Sequence, residues 1–466
     1  MATAARQVKP QEVATETVAA ALARMTAEVM KASMPAEVID KARGCLTDFV
    51  ACVLESRNLP WGKCVLEYAG LGPRGPSAVV GTALKIAAPE AAFANGTLGH
   101  GLVREDMHVP SCSHLGVVVW PTLLALAEME EDKGRPVSGE RLLKAGVIGY
   151  EVAARVGRAL FDAELAARIR PTGTIGAIGA AAAGAALLNL DREQTTSAIA
   201  FGANGASGLN EWPWAGGWDM FFHAGQAARS AVTSVLLARS GAFGSPSAIE
   251  GRAGLFAAYG RRELSARIKT GMPDAFEIMT VYWKPAPACN YVQTPCQAAL
   301  ELVNEGVKAG EIERIEVASF TEAVQYPGCD HAGPFGSILE AKMSIQYSVA
   351  ATFVTGAMEE ANYKRLDDPE IARLAKRVVL SLDPDLEKAY PNHQGVGITV
   401  TLKDGSRRSM RLADLTPCDH EGVRTRFRKV GAEQLDAGAA GAILEAIDGL
   451  EKANDLRALS KALAAR

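Results

Sequence analysis

The sequence lacks the features that mark several large classes of protein. Its eight cysteines form no Cys-x-x-Cys pair, and no group of cysteines and histidines has the spacing of a structural zinc site. Thiols scattered through a chain of 466 residues are typical of a reducing compartment, not of a disulfide scaffold. No apolar segment of a signal peptide follows the first charges, and no apolar run is long enough to span a bilayer. We therefore expect a cytoplasmic protein with no membrane partner.

The chain also has no large excess of positive or of negative charge. The formal net charge is -4 at pH 7, and we interpret the one dense basic run, residues 424–429, as a solvated helix face. This composition predicts no nucleic-acid partner. The chain has no Gly-x-Gly-x-x-Gly after a strand, no Walker loop, no Gly-x-Ser-x-Gly and no His-Glu-x-x-His. Nucleotide-driven and serine-hydrolase chemistry are therefore disfavoured.

Apolar and small residues are plentiful: 48% of the chain is hydrophobic, 22% is charged, and 45 residues are glycine. These values are typical of a globular protein with a large core, and the length predicts two or three domains. Apolar residues recur at three- and four-residue steps in 35–54, 88–101 and 138–160, which predicts helices. Residues 173–188 and 195–209 are so rich in Gly and Ala that we expect buried, closely packed helices there.

The pattern changes near residue 272. Residues 312–320 alternate as a strand does, and residues 395–412 predict a hairpin that turns at Asp404-Gly405. Helical periodicity lies on either side of the first strand. It returns from residue 416 onward, most clearly in residues 433–450.

We therefore predict a mostly α fold with one inserted α/β unit. The boundaries place a helical part at 1–271, the α/β unit at 272–412 and a second helical part at 413–466. Because helical segments lie on both sides of the mixed unit, we expect them to form one domain built from both chain ends.

The stretch richest in reactive side chains is residues 95–114, between two predicted helices. It holds three of the seven histidines, His100, His108 and His114, together with Arg104 and two acids. A single histidine is more often structural, but several ionisable residues on one connector favour a functional site. The spacing of these histidines matches no compact ligand pattern, so we expect no metal.

Two further segments are candidates for binding an anion. Thr172 or Thr174 could cap the Gly/Ala-rich helix, whose N-terminus would attract an anion, although a plain helix start fits equally well. Lys284, among apolar neighbours, is either the partner of a ligand carboxylate or a lysine whose stem packs while its ammonium reaches water.

Residues 211–223 contain three of the six tryptophans. Such an aromatic cluster usually belongs to a core, although it could also form the wall of a pocket.

The order and spacing of many short motifs, each weak by itself, resemble one known family. The matching segments are 48–51 (DFVA), 95–96 (NG) followed by His100, 113–116 (SHLG), 149–155 (GYEVAAR), 171–176 (PTGTIG), 223–228 (HAGQAA), 249–255 (IEGRAGL), 284–289 (KPAPAC) and 341–344 (AKMS). On these segments the chain is similar, nearly from end to end, to the MmgE/PrpD family.

The resemblance implies a large all-helical domain, a smaller α/β lid domain, and a homodimer whose active site lies between the domains. It also implies that the enzyme uses no metal and no organic cofactor, and that its substrates are small di- or tricarboxylates. His114 and Lys284 match functional positions of the family.

The chain departs from the family pattern at several of those positions. An aspartate of the family falls on Val103 and a threonine on Met107. A histidine becomes Arg170 and a lysine becomes Met220. A tyrosine of the lid falls near Asp330, with Tyr326 close in sequence. These changes predict a more cationic pocket that is more apolar beside residues 212–222. They favour an anionic substrate with an apolar or aromatic portion.

Reactions of this family create or quench carbanion character beside a carboxylate. We expect Arg104, Arg170 and Lys284 to neutralise that carboxylate, since charged donors bind it strongly. His114 and His108 are the expected base and acid, and we count Lys284 with them as catalytic. The other expected substrate contacts are Thr172, His223, Trp218, Met220 and Tyr326.

These observations favour a lyase that acts on a small polycarboxylate in the manner of a dehydratase. Two alternatives stay open: an epimerase or isomerase that uses the same proton abstraction, and a non-catalytic paralogue that binds carboxylates.

Overall fold

The computed structural model describes residues 16–464, and most of this part is helical. The helices are α1 (Val18–Lys31), α2 (Ala36–Ser56), α3 (Pro60–Gly70), α4 (Ala88–His100), α5 (Gly116–Asp132), α6 (Gly139–Leu160), α7 (Ala163–Arg168), α8 (Pro171–Leu187), α9 (Arg192–Asn204), α10 (Trp212–Ala215), α11 (Asp219–Arg239), α12 (Leu255–Ala258), α13 (Gln293–Asn304), α14 (Thr321–Gln325), α15 (Ile338–Met343), α16 (Ile345–Thr355), α17 (Pro369–Ala375), α18 (Pro384–Ala389), α19 (His420–Gln434), α20 (Ala439–Asp448) and α21 (Arg457–Leu463). The strands are β1 (Arg74–Ala78), β2 (Lys85–Ile86), β3 (Ile312–Ser319), β4 (Val378–Leu382), β5 (Val396–Leu402) and β6 (Arg407–Leu412). The predicted mostly α fold with one mixed unit is confirmed. None of the helices in this described part is both long and apolar enough to cross a bilayer.

Helix α8 lies at the centre of the helical domain. All of its residues are buried, and it packs against α5, α6, α9 and α11. Small residues allow this approach, because a Cβ at Gly179 would lie 2.4 Å from the carbonyl oxygen of Gly149 in α6. Helices α4 and α11 approach as closely, since a Cβ at Gly96 would lie 3.1 Å from the Cα of Gly225. The expectation of a buried helix in this Gly/Ala-rich segment is confirmed.

The C-terminal helices pack back onto the N-terminal part of this domain. Helices α19 and α20 both contact α2, and Phe427 of α19 is fully buried. The single helix predicted over residues 433–450 is wrong, because α19 ends at Gln434 and α20 begins after Gly438. Gly438 has a φ of +85°, a left-handed conformation that glycine adopts readily and that interrupts the helical path.

The basic run at residues 424–429 lies on α19. Arg424, Arg428 and Lys429 form ion pairs with acidic side chains at the surface. Arg426 differs from them, because its Nη1 donates a hydrogen bond of 3.0 Å to the carbonyl oxygen of Lys284. The run is therefore a solvated basic face in which Arg426 and Phe427 are directed to the interior.

The α/β unit contains a four-stranded sheet in the order β4-β3-β5-β6. Strand β3 is parallel to β4 and antiparallel to β5. Strands β5 and β6 form the predicted hairpin, in which Gly405 has a φ of +85°. Strand β4 was not expected from the sequence, since this edge strand is largely exposed and its residues do not alternate cleanly between apolar and polar.

Two hydrophobic cores meet beside the connector that follows α4. Ile278, Val281 and Trp283 belong to the core of the helical domain, whereas Ala288, Cys289 and Val292 belong to the core of the α/β unit. The segment at 102–103 lies in that second core. The connector after α4 therefore runs along the boundary between the two units.

Glycine packing in α8 gives a test of this architecture. Gly179→Ala should lower the free energy of unfolding by about 1–3 kcal/mol, because the new methyl group meets the backbone of α6. Gly441→Ala, in α20, places its methyl group in open space and should raise stability by up to about 1 kcal/mol through helix propensity. Denaturant unfolding of both variants measures these changes. Equal effects of the two substitutions would contradict the proposed close approach of α6 and α8.

Candidate active site

The connector between α4 and α5 is irregular but buried. His100 is the last residue of α4, Gly116 is the first of α5, and a short 3-10 turn at Val109–Ser111 lies between them. Backbone pairing holds this segment, since Met107 pairs with Tyr282 in the segment that links the two cores. Its polar side chains therefore meet inside the protein and not in water.

The carboxylate of Glu105 joins two of the predicted histidines. Its Oε1 lies 2.5 Å from His100 Nδ1 and 3.3 Å from His114 Nδ1. On the other side of the His100 ring, Nε2 lies 3.2 Å from a terminal guanidinium nitrogen of Arg170. Although burial opposes ionisation, the adjacent imidazoles and Lys284 hold the pKa of Glu105 well below its ordinary value. An ionised carboxylate thus lies buried between two rings.

His114 is held with one ring nitrogen free. Its backbone N–H donates a hydrogen bond of 3.0 Å to Thr172 Oγ1, and its Nδ1 lies 2.9 Å from the carbonyl oxygen of Asp106. Because a carbonyl oxygen only accepts, Nδ1 carries the proton and Nε2 has an unshared lone pair. Burial first, and then the charge of Lys284, keep the pKa of His114 well below its ordinary value. The neutral imidazole is therefore suited to accept a proton.

Asp106 fixes the far end of the connector. Its carboxylate accepts a hydrogen bond of 3.1 Å from the backbone N–H of Gly116 and another from the hydroxyl of Tyr150. Complete burial is the main reason that its pKa is raised to about 7. These bonds orient the same Asp106 carbonyl that holds the His114 ring.

A narrow cavity with a free volume of about 40 Å³ lies next to His114. Its lining residues are Val103, Met107, Cys112, His114, Arg170, Trp212, Met220, Cys289, Asn290, Tyr291, Tyr326 and Met343. Two of them, Val103 and Cys112, have φ values of +59° and +50°. Such left-handed conformations are unfavourable for residues other than glycine, by about 1–3 kcal/mol each, and they gather at functional sites.

Four of the five positions at which the chain departs from the family pattern lie together, and the fifth, Asp330, lines a neighbouring pocket. Val103, Met107, Arg170 and Met220 all line this cavity. Three of the four are apolar and the fourth is a buried guanidinium. The cavity thus offers a ligand one direct positive charge among apolar walls.

Lys284 is fully buried beside the cavity and does not line it. Its Nζ donates a hydrogen bond of 3.0 Å to the carbonyl oxygen of Ala288. Burial is the main cause that lowers its pKa to about 8. The interpretation in which the ammonium reaches water is wrong, because the side chain has no exposed surface. At neutral pH its positive charge acts on His114 and Glu105 from within the protein.

Four other predicted residues do not line the cavity. His108 uses both ring nitrogens within the protein, at 2.6 Å from Ser111 Oγ and 3.1 Å from Glu277 Oε2. Arg104 is buried in an ion pair with Glu55. The other two are Trp218, whose ring lies edge-on to Trp61, and His223, whose pKa burial lowers to about 4. The geometry therefore separates His108 from His114 although both lie on one connector.

The two remaining predicted contacts lie at the site in different ways. Tyr326 lines the cavity, with its hydroxyl 3.4 Å from Asn210 Nδ2. Thr172 lies inside the first turn of α8 and holds the His114 backbone. Neither Thr172 nor Thr174 caps this helix, since Arg170 occupies the cap position and Pro171 the first helical position. The cap predicted there is wrong.

Cys289 is a cavity residue that the sequence did not single out. Its Sγ lies 3.8 Å from that of Cys329. That neighbouring thiol is the main cause that lowers the pKa of Cys289 to about 7, and Lys284 contributes. Cys289 ends the segment 284–289 that resembles the family pattern, and this position was the signal that could have drawn attention to it.

Two wider pockets adjoin the cavity and share its walls. One, of about 320 Å³, shares Trp212 and Met343 with it. The other, of about 490 Å³, shares Cys112, Tyr291 and Tyr326. A ligand in the narrow cavity therefore has room to extend on either of two walls.

Most of the chain is similar in sequence to known proteins. Sequence models of the MmgE/PrpD N-terminal domain and the MmgE/PrpD C-terminal domain match residues 20–266 and 286–445. A cis-aconitate decarboxylase of Aspergillus terreus is 23% identical over 92% of both chains. A cis-aconitate decarboxylase-like protein of Aspergillus oryzae is 33% identical over 49% of this chain and 48% of its own. A 2-methylcitrate dehydratase of Salmonella typhimurium is 25% identical over 79% of both chains.

The bond between Thr172 and His114 can be tested without any substrate. Thr172→Val keeps the shape and removes the acceptor, which leaves a buried N–H unpaired and should lower the free energy of unfolding by about 1–3 kcal/mol. Thr172→Ser keeps the hydroxyl and should lose less. Denaturant unfolding distinguishes the two, and equal losses would show that only the packing of the methyl group matters.

Proposed function

Because this chain belongs to the MmgE/PrpD family, we propose that it is a lyase that removes a proton next to a carboxylate of a small polycarboxylic acid and then eliminates a group from the neighbouring carbon. The observation that carries this proposal is the pairing of a neutral His114, free at Nε2, with the guanidinium of Arg170 in the lining of one cavity. A base and a carboxylate-binding cation are the two groups that such a reaction needs first.

Arg170 binds the substrate carboxylate. It lies at the start of α8, where the helix N-terminus adds favourable potential for an anion. Arg170 and Lys284 supply two positive charges around Glu105, which supplies one full negative charge. Asp106, with a pKa of about 7, is only partly ionised at neutral pH, so an excess of positive charge remains. A carboxylate that enters the cavity balances this excess.

His114 Nε2 removes the proton on the carbon beside that carboxylate. As negative charge develops there, the ammonium of Lys284 stabilises it from within the protein without direct contact. Glu105 favours the imidazolium that forms, since its carboxylate lies 3.3 Å from the protonated Nδ1. The negative charge on the carbon is lost when the carbon–carbon double bond forms.

Tyr326 supplies a proton to the leaving group. Burial raises the pKa of its hydroxyl, so the phenol stays protonated and can donate. For a hydroxyl leaving group, the carbon–oxygen bond breaks, the oxygen takes the phenolic proton, and water departs. The proton now on His114 then passes to the Tyr326 phenolate, carried by the water molecule that the elimination releases, which completes the balance.

Relatives support the substrate class. The cis-aconitate decarboxylases and 2-methylcitrate dehydratases that resemble this chain are named for tricarboxylic acids. The apolar side chains of Val103, Met107 and Met220 favour a substrate with an uncharged portion next to its carboxylates.

One observation favours epimerisation as a second candidate. Cys289 lines the same cavity as His114, with a pKa lowered to about 7 by its contact with Cys329. A thiol and an imidazole could remove and return a proton on two faces of one carbon.

Proton NMR in D2O tests the reaction class with a panel of hydroxylated, amino-linked and unsaturated polycarboxylates. We expect vinylic signals to appear or disappear, and His114→Ala should abolish this change with the fold intact. The control is His393→Ala, since His393 lies at the surface of the α/β unit with 60% of its side chain exposed.

Other outcomes contradict the elimination. Deuterium next to a carboxylate without a new double bond would favour the epimerase. No chemical change, with a melting temperature that still rises on binding, would favour a non-catalytic carboxylate-binding protein. Full activity of His114→Ala would remove this residue from the mechanism.

Arg170 is predicted to act mainly in binding. Arg170→Met should raise KM by about 10- to 100-fold, the value of one charge-assisted hydrogen bond, with a smaller effect on kcat. Arg170→Lys should be intermediate, because lysine keeps the charge and loses the planar fork. Arg168→Met, two residues earlier at the surface, is the matched control. An unchanged KM in Arg170→Met would exclude this role.

A further inference from the structure

The wider pocket beside Tyr326 has its own chemistry. It lies between the helical domain and the α/β unit, and we call it the side pocket. Its lining residues are Val109, Pro110, Cys112, Phe161, Asp162, Ala163, Glu164, Ala166, Ala167, Tyr291, Thr321, Glu322, Gln325, Tyr326, Pro327, Tyr390 and Pro391. We propose that the substrate carries an uncharged apolar or aromatic substituent and that the side pocket holds it. This inference rests on the proposed function, because it assumes that the carboxylate end binds at Arg170.

The side pocket lies directly behind one wall of the narrow cavity. Cys112, Tyr291 and Tyr326 form walls of both spaces. The side pocket has a free volume of about 490 Å³, against about 40 Å³ beside His114. A ligand whose reacting carbon lies at His114 can therefore place a substituent of several carbons beyond the shared wall.

The lining of the side pocket is mostly apolar. Four aromatic rings contribute, those of Phe161, Tyr291, Tyr326 and Tyr390. The rings of Tyr291 and Tyr326 lie 5.4 Å apart and tilted, an arrangement that offers both faces and edges to another ring. Small residues of α7, such as Ala167, also line the pocket and take up little of its space. An aromatic or branched aliphatic group fits this lining.

The charges around the side pocket exclude a carboxylate from it. Its lining contains Asp162, Glu164 and Glu322, and no Lys, Arg or His. Two of these acids have cationic partners outside the lining, since Arg261 pairs with Asp162 at 2.7 Å and Arg168 pairs with Glu164 at 2.9 Å. Glu322 forms no ion pair within residues 16–464 and is the acid whose charge is least compensated. After burial, the charges of Glu322 and Asp162 help to raise the pKa of the shared-wall residue Cys112, so their potential reaches the cavity.

The other adjoining pocket is less suited to such a substituent. Its lining includes Asp330, His331, Ser337 and Glu340 together with Trp214. These polar side chains need hydrogen-bonding partners when a ligand covers them. The proposal therefore locates the apolar portion on the Tyr326 side of the cavity and not beside residues 212–222.

Calorimetric binding of a series of succinates tests the inference without turnover, because these diacids have no leaving group. The series is succinate, 2-methylsuccinate, 2-butylsuccinate, 2-benzylsuccinate and 2-(3-carboxypropyl)succinate. We expect affinity to rise by about fourfold for each added methylene that is buried. The benzyl compound should bind at least tenfold more tightly than the methyl compound, and the third carboxylate should remove the gain of its chain.

Two variants fill the side pocket from different elements. Ala167→Trp on α7 and Gln325→Trp on α14 should each abolish the tenfold advantage of the benzyl compound and leave succinate binding unchanged. Lys376→Trp, at an exposed position of the α/β unit outside the lining, is the control and should behave as the unmodified protein.

The outcomes separate this inference from the proposed function. Succinate binding with no gain along the series would overturn the side pocket and leave the function standing. A gain that persists in both filled variants would also overturn it, since the substituent would then lie elsewhere. No binding of succinate at all would contradict the proposed function, and the inference would fall with it.

Discussion

The buried carboxylate of Glu105 is the constraint on which the rest of the site depends. An ionised group in the interior needs compensating charge and hydrogen bonds, and here they come from separate parts of the chain. His100 ends α4, His114 precedes α5, Arg170 begins α8, and Lys284 lies where the chain passes between the two cores. Satisfying one carboxylate thus fixes four segments, and the excess of positive charge that remains is what a ligand carboxylate would balance.

Much of the architecture could be predicted from the sequence because its causes are local. The Gly/Ala content of α8 and the Asp404-Gly405 turn act within a few residues. The concentration of ionisable residues in the connector was also visible in the sequence. That His114 lines the cavity and His108 does not was not visible there. Both histidines are buried. Glu277, far away in the sequence, contacts the Nε2 of His108, whereas Thr172 accepts a hydrogen bond from the backbone N–H of His114. Such contacts join residues far apart in the chain, and no local pattern encodes them.

Backbone strain shows that packing dictates the shape of the cavity. Val103 is β-branched and has a φ of +59°, which is the least favourable combination in the lining. Its side chain and that of Leu102 lie in the core of the α/β unit, although the helices before and after them, α4 and α5, belong to the helical domain. Apolar burial there offsets the unfavourable backbone and holds the two units together at the cavity. An aspartate at this position would bring a negative charge into that core, so the apolar character of the site and its location at the boundary are linked.

Charge also determines how a substrate would be oriented. In the proposed binding mode, Arg170 and Lys284 attract a carboxylate at one end of the space, while the acidic side chains of the side pocket, above all Glu322, repel it at the other. A reversed substrate would place its carboxylate beside those acids and its apolar group against a guanidinium, and both contacts are unfavourable. Because the two preferences act together, the difference in charge between the two ends of the cavity selects one orientation even with few direct contacts. In the proposed binding mode, this is the orientation that brings the carbon next to the bound carboxylate within reach of His114.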